Sequence, residues 1–192
     1  MATYQNYQEQ QRNKRKLVIR DRDGVINFDS DQYIKNPTEW KPIPQSLEAI
    51  ARLNHMGYRV VVATNQSGMG RGLFDMSTLN AINEKMYRAL ANVGGRIDAL
   101  FFCPHISESL CSGRKPEQGM LLSIAERFNV DLENVPFIGD SLKDLQAASS
   151  VGALPILVKT GKGEKTSKSD QLPKATIQFI DLNEAVKHIT AG

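Results

Sequence analysis

Short apolar runs alternate with stretches of helical spacing along most of the chain, and no hairpin signal interrupts them. Leu17–Ile19, Tyr58–Ala63, Ala99–Cys103, Val135–Ile138 and Leu154–Lys159 read as buried strands, with Thr176–Ile180 as an edge strand. Strands joined through helices cannot pair as hairpins, so the pattern specifies an α/β fold: a parallel sheet with helices on both faces, Rossmann-like. Ligands of such sheets sit at the carboxyl ends of the strands. That rim collects Asp21 and Asp23, Thr64 and Asn65, the loop after Cys103, and Asp140.

The helices read from their apolar spacing and their stops. One runs Gln45–Met56 and ends at Gly57; one starts at Asp75 or Ser77, carries Leu79, Ile82, Met86 and Leu90, and stops at Gly94-Gly95. Met120–Phe128, Ser141–Ser150 and Leu182–Ile189 follow. Phe28–Trp40 and Thr64–Phe74 read as loops, and the polar stretch Gly161–Pro173 is expected to be mobile. The 192 residues suit one domain, 17–192, with no large inserted cap. Residues 1–16, polar and Gln-rich, are expected to be a flexible tail whose Lys14, Arg15 and Lys16 are solvated.

Composition removes several classes of function. A net charge of +3 is too weak to argue for nucleic acid as a partner. No apolar run approaches the ~20 residues of a membrane span, and the N-terminus has no apolar segment of a secretory signal. Two cysteines without an export signal point to the cytoplasm and against a disulfide.

The first strand ends in Arg20-Asp21-Arg22-Asp23-Gly24. Two carboxylates at one strand end raise each other's pKa, and a hard cation such as Mg²⁺ relieves the conflict. Alone, the stretch is equally an acidic turn. Thr64, Asn65, Gln66 and Ser67 offer a hydroxyl and amides to a phosphoryl oxygen, or simply a capped turn. Arg114-Lys115 reads as a phosphate grip or a surface pair, and Asp140 as a metal ligand or a helix cap. Gly68-Met69-Gly70-Arg71-Gly72 does not have dinucleotide spacing.

In this order the residues resemble the haloacid-dehalogenase superfamily, and within it the phosphatases of heptose bisphosphates; the histidinol-phosphate phosphatases share most of the same motifs. The resemblance spans Leu17 to Lys165 and rests on Asp21-Arg22-Asp23-Gly24-Val25-Ile26-Asn27, Thr64-Asn65-Gln66-Ser67-Gly68, Cys103-Pro104-His105, Arg114-Lys115-Pro116, Gly119-Met120 and Gly139-Asp140-Ser141. It implies that Asp21 attacks the phosphate and that Asp23 first protonates the leaving oxygen and then activates water. It implies Mg²⁺ on Asp21, the carbonyl of Asp23, and Asp140. Thr64 and Lys115 would steady the phosphoryl group and Arg114 would recognise a second phosphate. Asp29, Ser30, Asp31 and Gln32 would line the sugar, with Asn65, Gln66 and Ser67 beside the substrate. The implied partner is a sugar bisphosphate taken by a monomer on the way to lipopolysaccharide heptose. A histidinol-phosphate phosphatase and an impaired relative that only binds are the alternatives.

Two positions depart from the pattern. Cys103, His105 and Cys111 match three positions of a family zinc loop, but Gly113 stands where the fourth ligand belongs. Structural zinc takes four protein ligands, so Zn²⁺ is held here by three side chains plus water or not at all. Arg20 stands where an apolar residue normally precedes the nucleophile. An unpaired charge in a central strand is costly, so it either finds a partner near the rim or distorts the strand.

Overall fold

In the computed structural model, which describes residues 16–191, the chain runs β1 (Leu17–Arg20), α1 (Ser46–His55), β2 (Arg59–Asn65), α2 (Ser67–Gly70), α3 (Met76–Asn92), β3 (Ala99–Cys103), α4 (Gly119–Phe128), β4 (Pro136–Gly139), α5 (Leu142–Ser150), β5 (Leu154–Val158), α6 (Gly163–Thr166), β6 (Ile177–Phe179) and α7 (Leu182–Thr190). The six strands form one parallel sheet in the order β3-β2-β1-β4-β5-β6. The chain winds outward from β1 to β3, then crosses back to β4. That reversal opens a crevice at the carboxyl ends of β1 and β4.

Side chains alternate across a strand, and each face of this sheet has its own core. Val18, Val60, Val62, Ile138, Ile156 and Val158 pack against apolar residues of α1, α3 and α7. Leu17, Ile19, Val61, Ala63 and Phe137 pack against α4 and α5. Both faces are covered, as an all-parallel sheet requires.

The connection from β1 to α1 contains only loops and the isolated bridges Asp23–Asn27 and Asn27–Pro42, so no large cap is present. Buried Trp40 anchors it, and Lys85 Nζ of α3 donates to the carbonyls of Pro37 and Trp40 at 2.6 and 2.8 Å. No helix among the described residues is long and apolar enough to cross a membrane.

Three expectations need correction. β2 continues through Thr64 and Asn65, because both still pair with β3 (Thr64 opposite Phe102, Asn65 opposite Cys103), and the loop after it contains α2. The stretch 161–173, expected to be mobile for lack of periodicity, contains α6 and is tied to the first motif by hydrogen bonds described below. The last residue of the expected tail is joined to the sheet: Arg59 N donates to Lys16 O at 2.7 Å, and the Lys16 ammonium, still partly exposed, donates to Met56 O at 2.8 Å beside the end of α1. The rest of the expected tail, 1–15, lies outside the described residues.

Candidate active site

Asp21 leaves the end of β1 with its amide still donating to Ile138 O of β4 (3.0 Å), which fixes the carboxylate at the crevice. Gly24 then turns the chain at φ +79°; a Cβ there would collide with the Asp140 carboxylate, so only glycine lets the two motifs touch. Lys115 is buried beneath them. Its Nζ reaches Asp21 Oδ2 at 3.2 Å and Asp144 Oδ1 at 2.6 Å, and donates to Ala63 O at 2.6 Å. Burial would depress this ammonium, but Asp144 and Asp21 outweigh it and raise its pKa. Lys115 is therefore a fixed cation beside the nucleophile position.

The carboxylates face one another at close range. Asp21, Asp140 and Asp144 each bring an oxygen within 4.8 Å of the others. Burial is the main cause that pushes Asp21 up to about 7, with Lys115 pulling it back, Asp144 and Asp23 adding repulsion, and a Thr64 hydrogen bond opposing them. Asp140 rises to about 8 through burial, then Asp144 and Asp21, against one amide hydrogen bond from Lys162 (2.7 Å). A cluster of hard oxygen donors whose repulsion is unrelieved fits Mg²⁺. Asp21 and Asp140 are the carboxylates free to hold such an ion, whereas Asp144 is committed to Lys115 and to the amide and hydroxyl of Ser141.

Asp23 is built differently. Arg22 folds back on it, with Nε on Oδ1 at 3.1 Å and Nη2 on Oδ2 at 3.0 Å, while Asn27 and Gln66 donate at 2.9 and 2.8 Å. Burial would raise this carboxyl, yet the Arg22 charge and the three donors hold it below the usual range. Arg22 is itself buried and bound to Asn83 of α3 and to Gln66.

A cavity of about 510 Å³ opens over these groups. Of the residues singled out from sequence, Asp21, Asp23, Asp29, Ser30, Asp31, Asn65, Gln66, Ser67, Arg114, Lys115 and Asp140 line it. Thr64 lies beneath, buried, bonding toward Asp21 and accepting from Gln66 Nε2 (3.1 Å). Gln32 does not line the cavity: the turn at Ser30 leaves it exposed. The Asn65 amide is spent bracketing the Lys115 backbone, at 3.0 and 3.2 Å, and Gln66 is spent on Asp23. Sequence reasoning missed Arg22, Asn83, Asp144, Lys143 and the segment carrying Lys162, Lys165, Thr166 and Ser169. Asp144 had a signal in Gly139-Asp140-Ser141-x-x-Asp144; the last segment had none.

Cys103, His105 and Cys111 come together, with Cys103 Sγ 3.6 Å from His105 Nδ1 and 3.8 Å from Cys111 Sγ; the thiols are not joined. Two sulfurs and one nitrogen suit a soft divalent ion. Among the described residues no fourth Cys, His, Asp or Glu joins this group, and a Cβ on Gly113 would sit 3.7 Å from Cys111 Sγ. Arg20 meets neither expectation. Strand β1 keeps register with Val62 and Ile138 at this position, and among the described residues no nitrogen of its buried guanidinium has a hydrogen-bond partner. Burial drags its pKa down to about 9.

A family model described as HAD-hydrolase-like matches residues 112–185. The D-glycero-beta-D-manno-heptose-1,7-bisphosphate 7-phosphatase of Bordetella bronchiseptica is 56% identical over 87% of this chain and 93% of its own, and that of Pseudomonas putida is 51% identical over 87% and 95%. The fold and the carboxylate–lysine site are thus those of a phosphatase, and the chain belongs to the haloacid-dehalogenase-like hydrolases. The solved B. bronchiseptica D,D-heptose 1,7-bisphosphate phosphatase, complexed with magnesium and phosphate, superposes with a TM-score of 0.90 at 53% identity, covering 92% of this chain and 98% of that one. The Burkholderia thailandensis phosphatase gives 0.75 at 51% identity, covering 92% and 99%.

Proposed function

We propose that this chain hydrolyses the 7-phosphate of D-glycero-D-manno-heptose 1,7-bisphosphate through an aspartyl-phosphate on Asp21. The observation that carries the reading is the Asp21–Lys115–Asp144 chain beside Asp140 at the sheet's switch point, under a cavity large enough for a sugar bisphosphate. It is supported by relatives of that name at more than half identity over most of both chains.

Asp21 attacks phosphorus in line with the sugar oxygen, with Lys115 and Thr64 steadying the phosphoryl oxygens. Asp21, Asp140 and the carbonyl of Asp23 would hold Mg²⁺, which would supply the charge that lets a dianionic phosphoryl approach a carboxylate. Asp23 carries the proton. Arg22 favours its ionised form, and the incoming phosphoryl charge raises its pKa toward protonation. It then gives that proton to the leaving alkoxide and withdraws one from the water that attacks the phosphoenzyme. Asp29, Ser30 and Asp31 face the sugar, and Arg114 recognises the second phosphate.

The working unit in this proposal is a monomer. Two unjoined thiols suit a reducing cytoplasm, where precursors of lipopolysaccharide heptose are made. The test is phosphate release from both anomers of the bisphosphate and from histidinol phosphate, with and without Mg²⁺. Release from the bisphosphate that requires Mg²⁺ is expected; preference for histidinol phosphate would overturn the substrate assignment.

A further inference from the structure

The segment after β5 is bound onto the first motif. Thr160 Oγ1 donates to Gly24 O at 2.6 Å, and Lys162 N donates to Asp140 Oδ2 at 2.7 Å. Gly161, at φ +55°, allows the approach, since a Cβ there would meet Asp140 and the Gly24 backbone. From this anchor, positions 162, 165, 166 and 169 line the cavity, whereas Glu164, Lys168 and Asp170 do not. The spacing i, i+3, i+4, i+7 is one helical face. That face holds two ammonium groups and two hydroxyls, with no carboxylate. The loop after β1 instead presents Asp29 and Asp31 to the same cavity.

We propose that Lys165, Lys162 and Ser169 form a subsite for the substrate phosphate that is not attacked. The inference rests on the bisphosphate reading above. Two phosphates need two sets of cations, and Lys115 is spent at the reacting centre. Arg114 already donates Nη1 to His105 O (3.0 Å) and Nη2 to Ser107 Oγ (3.3 Å), so it grips a second phosphate with part of its fork. Its loop leaves β3, two strands from β1, while the Lys162–Ser169 segment leaves β5, two strands away on the other side. The distal phosphate is therefore held from both flanks of Asp21. Lys162 Nζ pairs with Asp29 Oδ2 at 3.1 Å, and Lys165 has no salt bridge among the described residues. Lys165, like Lys143 in the same lining, is thus a cation left for substrate, and Lys162 ties the subsite to the sugar loop.

Steady-state kinetics on the heptose 1,7-bisphosphate and on heptose 7-phosphate test this. Lys165→Met should raise KM for the bisphosphate about tenfold, with kcat within about twofold, because a contact to a group that does not react is uniform binding. The preference in kcat/KM for bisphosphate over monophosphate should fall by the same factor. Lys162→Met should act in the same direction, Lys165→Arg should restore the preference, and Lys168→Met, on the outer face, should leave it alone. An unchanged preference in Lys165→Met, or equal losses on both substrates, overturns the subsite alone. A wild-type protein that hydrolyses neither compound overturns the bisphosphate reading and the subsite with it.

Discussion

Asp21 and Asp23 sit two residues apart yet are pushed in opposite directions, because only Asp23 has an arginine folded onto it. Environments that separate two carboxyl pKa values divide nucleophile from proton carrier. Asp21→Asn should reduce turnover below about 1% of wild type, since removing a key catalytic group commonly costs orders of magnitude. The same change removes one of the repelling carboxylates while Lys115 keeps Asp144 and Ala63 O, so the metal-free variant should melt higher than wild type at pH 8. Activity loss with a lowered melting temperature would mean that Asp21 is structural. Arg20 is the opposite case, a charge with no visible return. Arg20→Leu should stabilise the fold by about 2 kcal/mol, since apolar replacement of buried charge often gains 1–4 kcal/mol. For a chain of this size that is a rise of about 4–8 °C in Tm. A lower Tm in thermal unfolding would show that the guanidinium has a partner that matters. That Arg20 has no hydrogen-bond partner among the described residues was not legible in the sequence, which shows the charge but not the neighbours.

At the scale of elements, what sequence revealed and what it hid follow from where each signal lives. Strands β1, β3, β4, β5 and β6 and helices α1, α3, α4, α5 and α7 were readable because burial on one or both faces forces periodic apolar residues. The rim residues Asp21, Asp23, Lys115 and Asp140 were readable because strand ends in a parallel sheet share one edge. The Lys162–Ser169 segment was not, since it is fixed by the Thr160 hydroxyl, the close approach at Gly161 and the Lys162 amide, which leave no apolar pattern. Gln66 and Asn65 line the cavity as expected, but the sequence did not show that their side-chain amides also bond within the protein, to Asp23 and to the Lys115 backbone. The Cys103–Gly113 loop shows the converse, a donor set legible in sequence but one ligand short. Gly113→Cys places a thiol beside Cys111 without backbone strain, because Gly113 does not occupy the left-handed region. Zinc affinity should rise by tenfold or more, about 1.4 kcal/mol or greater. Competition against a chromogenic chelator measures this, and equal affinity in both proteins would mean that the fourth corner lies elsewhere.

For the molecule as a whole, the carboxylates of the crevice repel one another, and the proposed Mg²⁺ would relieve that repulsion. Asp21 and Asp140 have folded pKa values of about 7 and 8, above the 3.8 of a free carboxyl, so between those limits the folded state binds more protons than the unfolded state. Stability then falls as pH rises through that window. The metal-free protein should accordingly lose stability from pH 5.5 to pH 8.5 at this site. Asp23, held below its usual range, acts in the opposite sense only in more acidic solution. Magnesium inverts the dependence, because it needs the same carboxylates ionised: at pH 5.5 it must displace protons, and at pH 8.5 it meets charge already present. The rise in Tm on adding saturating Mg²⁺ should therefore be at least about twice as large at pH 8.5 as at pH 5.5. Calorimetric titration should show proton release on binding at pH 6.5 that fades by pH 9. A Mg²⁺-induced shift independent of pH would place the cation away from Asp21 and Asp140, and the mechanism built on that pair would fall with it.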